Sequence, residues 1–225
     1  MTQIEWRIKP LLTEWAEVAS FDMPGVGDEP PAEHPGREAL VARGAEELER
    51  VGWERCVIVG DEFGVFSAVP AAAAHPERVA GLALGHACLK VGPDSLNAEV
   101  MSAFMSLAEV DYRTYARHLT QITQNAYDDE TADEYIRRVP QQVSLDYNPE
   151  VSGAAGEDLE PILRTLGRPL LLAEHVGCLG WTAEGYKQAV AAFPQAMTVS
   201  TTEKCSVSPA FAEALRDFCA GLDWD

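Results

Sequence analysis

Glu62 is the residue with the most chemical promise. It lies in Val57-Ile58-Val59-Gly60-Asp61-Glu62-Phe63-Gly64-Val65, where an apolar run ends in a glycine and a second glycine follows four residues later. Glycines at that spacing let a buried strand turn sharply into a helix. The middle residue then stands at the C-terminal edge of a sheet, above a helix N-terminus whose dipole and free N–H groups favour an anion. Three uses follow for Glu62. It can act as a general base, its pKa raised by burial. It can attack as a covalent nucleophile. Or it can cap the helix and do no chemistry.

Two histidines stand in comparable places. His86 follows the apolar run Val79 to Leu84, and His175 follows Pro169 to Ala173. Ligands of open α/β sheets bind at the C-terminal ends of the strands. Imidazoles there can carry protons or touch a ligand near neutral pH; the bland alternative is a buried histidine bonded to backbone. Cys205 could be a nucleophile or a ligand contact, but it has no histidine partner nearby in sequence and reads more simply as a small buried thiol.

The elements that would position these groups alternate. Residues 36–52 form an amphipathic pattern with Leu40, Val41, Leu48 and Val51 on one face, closed by Gly52. Cys56 to Val59 is a buried strand, 64–74 an alanine-rich helix and Val79 to Leu84 a second strand. Helical segments 97–109, 111–124 and 128–138 then follow without a strand between them, and 148–158 is a linker rich in Gly and acids. Alternation resumes with a strand at Pro169 to Ala173, a helix at 183–193, a strand at Ala196 to Ser200 and a last helix at 208–222. Such βα alternation implies an α/β fold, a parallel sheet with helices on both faces. The expected division is a core of 1–94 and 148–225 with a helical cap at 95–147. Some of the cap's stripe (Met101, Phe104, Met105, Tyr112, Tyr115 and Tyr127) would line a pocket, Met105 among the ligand contacts.

Composition narrows the partners. The 225 residues carry a formal net charge of -19. That surface repels phosphate backbones and anionic membranes, so neither nucleic acid nor membrane is expected as a partner. No signal-peptide pattern and no long apolar run is present, and a cytoplasmic protein is expected. The five cysteines (Cys56, Cys88, Cys178, Cys205 and Cys219) show no CxxC spacing. They read as small buried apolar residues, with no disulfide framework and no metal or other cofactor expected.

Taken together, these stretches resemble the α/β-hydrolase fold superfamily. Ala19-Ser20-Phe21-Asp22-Met23-Pro24-Gly25-Val26-Gly27 is similar to that family's strand and D-x-P-G-x-G turn, which places Pro24 and Gly25 among the ligand contacts. Gly60-Asp61-Glu62-Phe63-Gly64 sits where the nucleophile elbow G-x-S-x-G belongs. His75-Pro76-Glu77-Arg78-Val79-Ala80-Gly81-Leu82 is similar to the approach to the next strand, and Pro169 to His175 to the strand before the acid loop. The resemblance covers nearly the whole chain. It implies that the serine is replaced by Glu62, that the acid falls on Val176, and that the histidine falls near Cys205 within Glu203-Lys204-Cys205-Ser206-Val207. It also implies that the Phe63 N–H offers half of an oxyanion hole.

Trp6 to Leu12 resembles the helix that follows the oxyanion loop, and the strands before it are missing. The strands ending at Asp22 and Gly60 would then become neighbours, and the exposed edge would invite homo-oligomer pairing. A carboxylate with half an oxyanion hole and no triad suits removal of a proton α to a carbonyl. The chain resembles in this the bottromycin-type peptide epimerase, which inverts an aspartate Cα next to a thiazoline. The expected partner is a modified peptide or small-molecule substrate. The alternatives are a hydrolase or lactonase using Glu62 directly, and a non-catalytic binding protein.

Overall fold

The structure is a computed structural model that describes residues 7–92, 94–95, 97–124, 128–147, 156–178 and 180–224. Tyr127 and most of the expected linker at 148–158 lie outside them. Four parallel strands form the sheet: β1 (Cys56–Asp61), β2 (Val79–Gly85), β3 (Leu170–His175) and β4 (Met197–Thr201), in the order β1-β2-β3-β4. β2 is buried along its whole length, as a central strand covered on both faces must be. Register follows the pleat. Leu82 and Leu84 pair with Leu170 and Leu172, and Ala83 with Leu171.

The pleat sends alternate residues to two separate cores. On one face Leu82, Leu84, Leu170 and Leu172 pack with Val65, Phe66 and Val69 of α3 (Val65–Ala74), Leu163 of α8 (Glu160–Leu166) and Ala189 of α9 (Ala183–Ala192). On the other, Ala83, Leu171 and Ala173 pack with Ile8, with Leu12 of α1 (Lys9–Thr13), and with Phe211, Leu215 and Phe218 of α10 (Pro209–Ala220). Three layers result, helices on both sides of a parallel sheet. Between β2 and β3 come α4 (Ala98–Val110), α5 (Tyr112–Gln124), α6 (Asp129–Arg138) and α7 (Gln141–Asp146), with no strand among the described residues. They have a small core of their own around Ala108, Tyr115, Ala116 and Tyr135, which also holds Val26. α7 and α8 were not foreseen.

One sequence expectation is overturned. The segment ending at Asp22 forms no strand and does not pair with β1. A cavity of about 1130 Å³ separates them, lined by Val18 and Phe21 on one side and Val57 and Val59 on the other. An extended segment without a ladder partner cannot satisfy its backbone as a strand. α2 (Arg37–Val51) closes the same cavity with Leu40, Leu48 and Val51, so its apolar face borders a groove instead of a filled core.

Gly60 shows why the elbow needs its glycine. A Cβ there would stand 2.8 Å from Ala68 Cβ, 3.0 Å from Gly64 O and 3.1 Å from Val65 Cα. None of these atoms can swing away. Gly60→Ala should therefore destabilise the fold by about 2 kcal/mol in urea unfolding, the cost of overpacking a rigid contact. A change under about 0.5 kcal/mol would contradict the close approach of α3 to β1.

Candidate functional site

The four strand ends deliver the candidate groups to one edge of the sheet. Glu62 follows β1, His86 follows β2, His175 ends β3, and Lys204 follows β4 by three residues. Among the described residues, Glu62 (φ 51°) and His86 (φ 48°) are the two non-glycine residues in the left-handed region. Each costs on the order of 1 kcal/mol, and such strain persists where the surroundings hold it and clusters at functional sites. Glu62 opens a short 3₁₀ turn, Glu62–Gly64, that leads into α3. Phe63 lies in this turn.

Lys204 is the residue that the sequence reading passed over. Its Nζ stands 3.1 Å from Glu62 Oε2, and its side chain is only 6% exposed. The turn that follows, Cys205–Val207, is tied to the core because Ser206 O accepts a hydrogen bond from Ile8 N. Lys204 therefore occupies, in the loop before the last helix, the place where the resemblance put a histidine. The signal was in the sequence: a lysine beside the cysteine that was singled out.

The ion pair corrects the expected electrostatics. Burial is the largest influence on Glu62 and pushes its pKa up. The Lys204 charge, the His86 and His175 rings and the Lys204 hydrogen bond together outweigh it, and the net direction is down from 4.5. Glu62 is a carboxylate at neutral pH. Burial holds His86 down to about 4, with Glu62 pulling the other way, and burial lowers His175 as well. Both rings are uncharged imidazoles at pH 7. They meet edge to face at 6.0 Å between centroids, and Trp181 lies against His86 at 5.6 Å.

Other sequence-predicted residues fall elsewhere. Cys205 is fully buried among Ala83, Leu171 and Phe211, and burial first, then the Asp61 charge, pushes its thiol well above the usual range. It is a core residue, not a ligand contact. Met105 packs within the small helical core with Tyr115 and Val26. Among the described residues neither cavity is lined by it. Gly25 (φ 81°) sits against Val143 of α7, where an added Cβ would come within 2.9 Å of Val143 Cγ2. Its turn is anchored by Asp22, which accepts from Arg138 Nη2 at 2.7 Å. Pro24 belongs to that anchored turn and is not among the residues lining either cavity. The departures at Pro24 and Gly25 share a cause: α6 and α7 sit on the turn and draw it into their own core.

Val176 is half exposed and lines a cavity of about 80 Å³ with His86, His175, Cys178 and Trp181. Cys178 is a second residue the sequence reading missed. Its Sγ and one ring nitrogen each from His86 and His175 lie within 4.8 Å of one another, a donor set able to hold a metal ion. Chemically, the edge thus offers an ionised carboxylate paired with an ammonium, two neutral imidazoles and a thiol. The large groove runs up to this edge, since Glu62 and Lys204 line it too.

No protein-family model matches the chain, and no curated protein matches it in sequence. Solved structures do match. An esterase, RhEst1, from Rhodococcus sp. ECU1013 has a TM-score of 0.71 at 18% identity, covering 98% of this chain and 86% of that one. A hydrolase from Pseudomonas aeruginosa PA01 has a TM-score of 0.71 at 17% identity, covering 94% and 83%. An alpha/beta hydrolase from Novosphingobium aromaticivorans DSM 12444 has a TM-score of 0.64 at 18% identity, covering 95% and 84%. At these identities the likeness speaks to architecture, and with the parallel sheet it establishes that this chain has the α/β-hydrolase fold.

Proposed function

We propose that this protein is a proton-transfer enzyme that epimerises an amino-acid Cα in a modified peptide of ribosomal origin. The observation that carries the reading is the Glu62–Lys204 pair on the elbow. A carboxylate that stays ionised in a buried site can take a proton from carbon. The Cα–H bond breaks, its electrons move onto the adjoining carbonyl oxygen or thiazoline nitrogen, and the Lys204 ammonium meets the developing negative charge. A proton from water then adds to the other face of the planar centre while Glu62 releases its own to solvent, which gives the epimer. No acyl group is transferred and no redox partner is required.

The groove supports a peptide as the substrate. Among the described residues β1 has a strand on one side only, and its free edge borders the cavity that ends at Glu62 and Lys204. An extended peptide laid along that edge gains main-chain hydrogen bonds while alternate side chains enter the apolar walls. The test is exchange in heavy water with short peptides that carry an aspartate next to a thiazoline. Deuterium appearing at that Cα, with loss of optical purity, is the expected result. No exchange above the enzyme-free rate would sink the reading.

A second reading has its own observation. Two uncharged imidazoles lie within electrostatic reach of Glu62, and an imidazole of that kind can activate water. A hydrolase or lactonase would then use Glu62 to attack the alkyl carbon of the ester or lactone, with the substrate's carboxylate as leaving group, and resolve the resulting glutamyl ester with that water. Turnover in ¹⁸O water would leave label in the Glu62 carboxylate under this scheme and none under proton transfer.

A further inference from the structure

We propose that His86, His175 and Cys178 form a binding site for a divalent transition metal of the zinc class, with a fourth position open to the small cavity beside them. The donor types come first. Two imidazole nitrogens and one sulfur make a borderline-soft set that suits zinc or cobalt and not the oxygen-seeking magnesium or calcium. Their ligand atoms already lie within 4.8 Å of one another. A tetrahedral zinc site has ligand-to-ligand edges of about 3.3–3.8 Å, so small side-chain rotations complete it.

The local backbone is built for this grouping. His175 and Cys178 sit three residues apart on one tight turn. Cys178 N–H donates to His175 O at 3.4 Å, and Gly177 takes a left-handed conformation at φ 81° that few other residues would accept. The turn thus folds the thiol back toward the imidazole. The third donor comes from the neighbouring strand, because β2 and β3 are parallel partners and end at the same edge. His86 holds its unusual φ of 48° there.

Two further observations separate a metal site from a pair of ordinary core histidines. First, a buried imidazole normally donates or accepts on both nitrogens, yet the Nδ1 atoms of His86 and His175 are both buried without a hydrogen-bond partner among the described residues. His86 as a whole is 5% exposed. Second, backbone hydrogen bonds from Trp181 and Gly180 favour the Cys178 thiolate, against burial, which is the larger influence and pushes the thiol up. Such donors stabilise a metal-bound thiolate and orient it, as outer contacts do around metal ligands generally. The Trp181 ring lies against His86. The adjoining cavity of about 80 Å³ has Val176 at its rim, and liquid water takes about 30 Å³ per molecule, so there is room for an exchangeable fourth ligand.

The site borders the proposed proton transfer, since both rings act on Glu62, but its test reads binding only. The full chain is freed of metal with a chelator and titrated with Co²⁺ and then Zn²⁺. One ion per chain should bind, with tetrahedral visible bands and a near-ultraviolet thiolate-to-cobalt band, and Zn²⁺ should displace Co²⁺. Cys178→Ser should remove the thiolate band. His175→Ala should weaken Zn²⁺ binding by about 100-fold or more against a competing chelator dye, since one of three ligands is lost. Circular dichroism of the metal-free variants shows whether they fold. Should they not, the wild-type spectrum decides: a stoichiometric thiolate band supports the site, and its absence overturns it. Binding equally tight in wild type and in both folded variants would also overturn it.

Discussion

Glu62→Gln should lower Cα deuterium exchange by about 10³-fold, within the range that a positioned general base contributes. The change is close to isosteric. The amide oxygen can still accept from Lys204 Nζ, now 3.1 Å from Glu62 Oε2, and the backbone strain at φ 51° is common to both residues. Lys204, with a side chain only 6% exposed, keeps its charge without the carboxylate's, so stability should fall by about 2 kcal/mol while the variant stays folded. What is lost is the ability to take a proton. Substrate affinity, read by calorimetry with the thiazoline peptide, should change by no more than about threefold, because a group needed only in the transition state leaves ground-state binding alone. Exchange that survives in Glu62→Gln would remove Glu62 from the chemistry. Loss of exchange together with loss of peptide binding would make it a binding residue instead.

The layout of this molecule was legible where local chemistry dominates, and illegible where distant parts meet. The strands at β1 to β4 announced themselves as short apolar runs, and their alternation with helices pointed to a parallel sheet. Glu62, His86 and His175 were found because each ends such a run. Lys204 and Cys178 were not. A lysine is normally an exposed charge, and its place beside Cys205 does not say that its side chain is 6% exposed against a carboxylate 142 positions earlier. Cys178 was set aside for want of a CxxC pair, although its partner in the turn is a histidine three residues before it. The segment ending at Asp22 misled for the opposite reason. Its local pattern resembles a strand, but a strand exists only with a neighbour, and across the groove β1 is out of reach. Pro24 and Gly25 were drawn to the wrong place by the same gap, since the contacts that α6 and α7 make with the turn after Asp22 join parts of the chain far apart in sequence.

Lys204→Met should be the most destabilising of the site substitutions, by about 3 kcal/mol at pH 7, because it leaves a carboxylate in a buried setting without its counter-charge. The Glu62 side chain keeps 22% of its surface, which holds the penalty at the low end of that range. The sign of the pH dependence distinguishes this cause from mere loss of side-chain contacts. In the wild type the folded pKa of Glu62 lies below 4.5, so the pair contributes stability above that value and loses it as the pH falls through the folded pKa. Without Lys204 the burial influence prevails and the folded pKa rises above the unfolded one. The variant then suffers most at neutral pH and recovers as acid protonates the carboxyl. The stability gap between wild type and Lys204→Met, measured by urea unfolding, should therefore narrow from pH 7 toward pH 4. The double variant Glu62→Gln/Lys204→Met should regain about 2 kcal/mol of the loss, since removing both charges removes the stranded one. The acid limb of any exchange activity that Lys204→Met retains should likewise move to higher pH, following the raised carboxyl. A gap that is constant with pH, or a double variant as unstable as the sum of its parts, would show that Lys204 serves the fold by contact and not by charge.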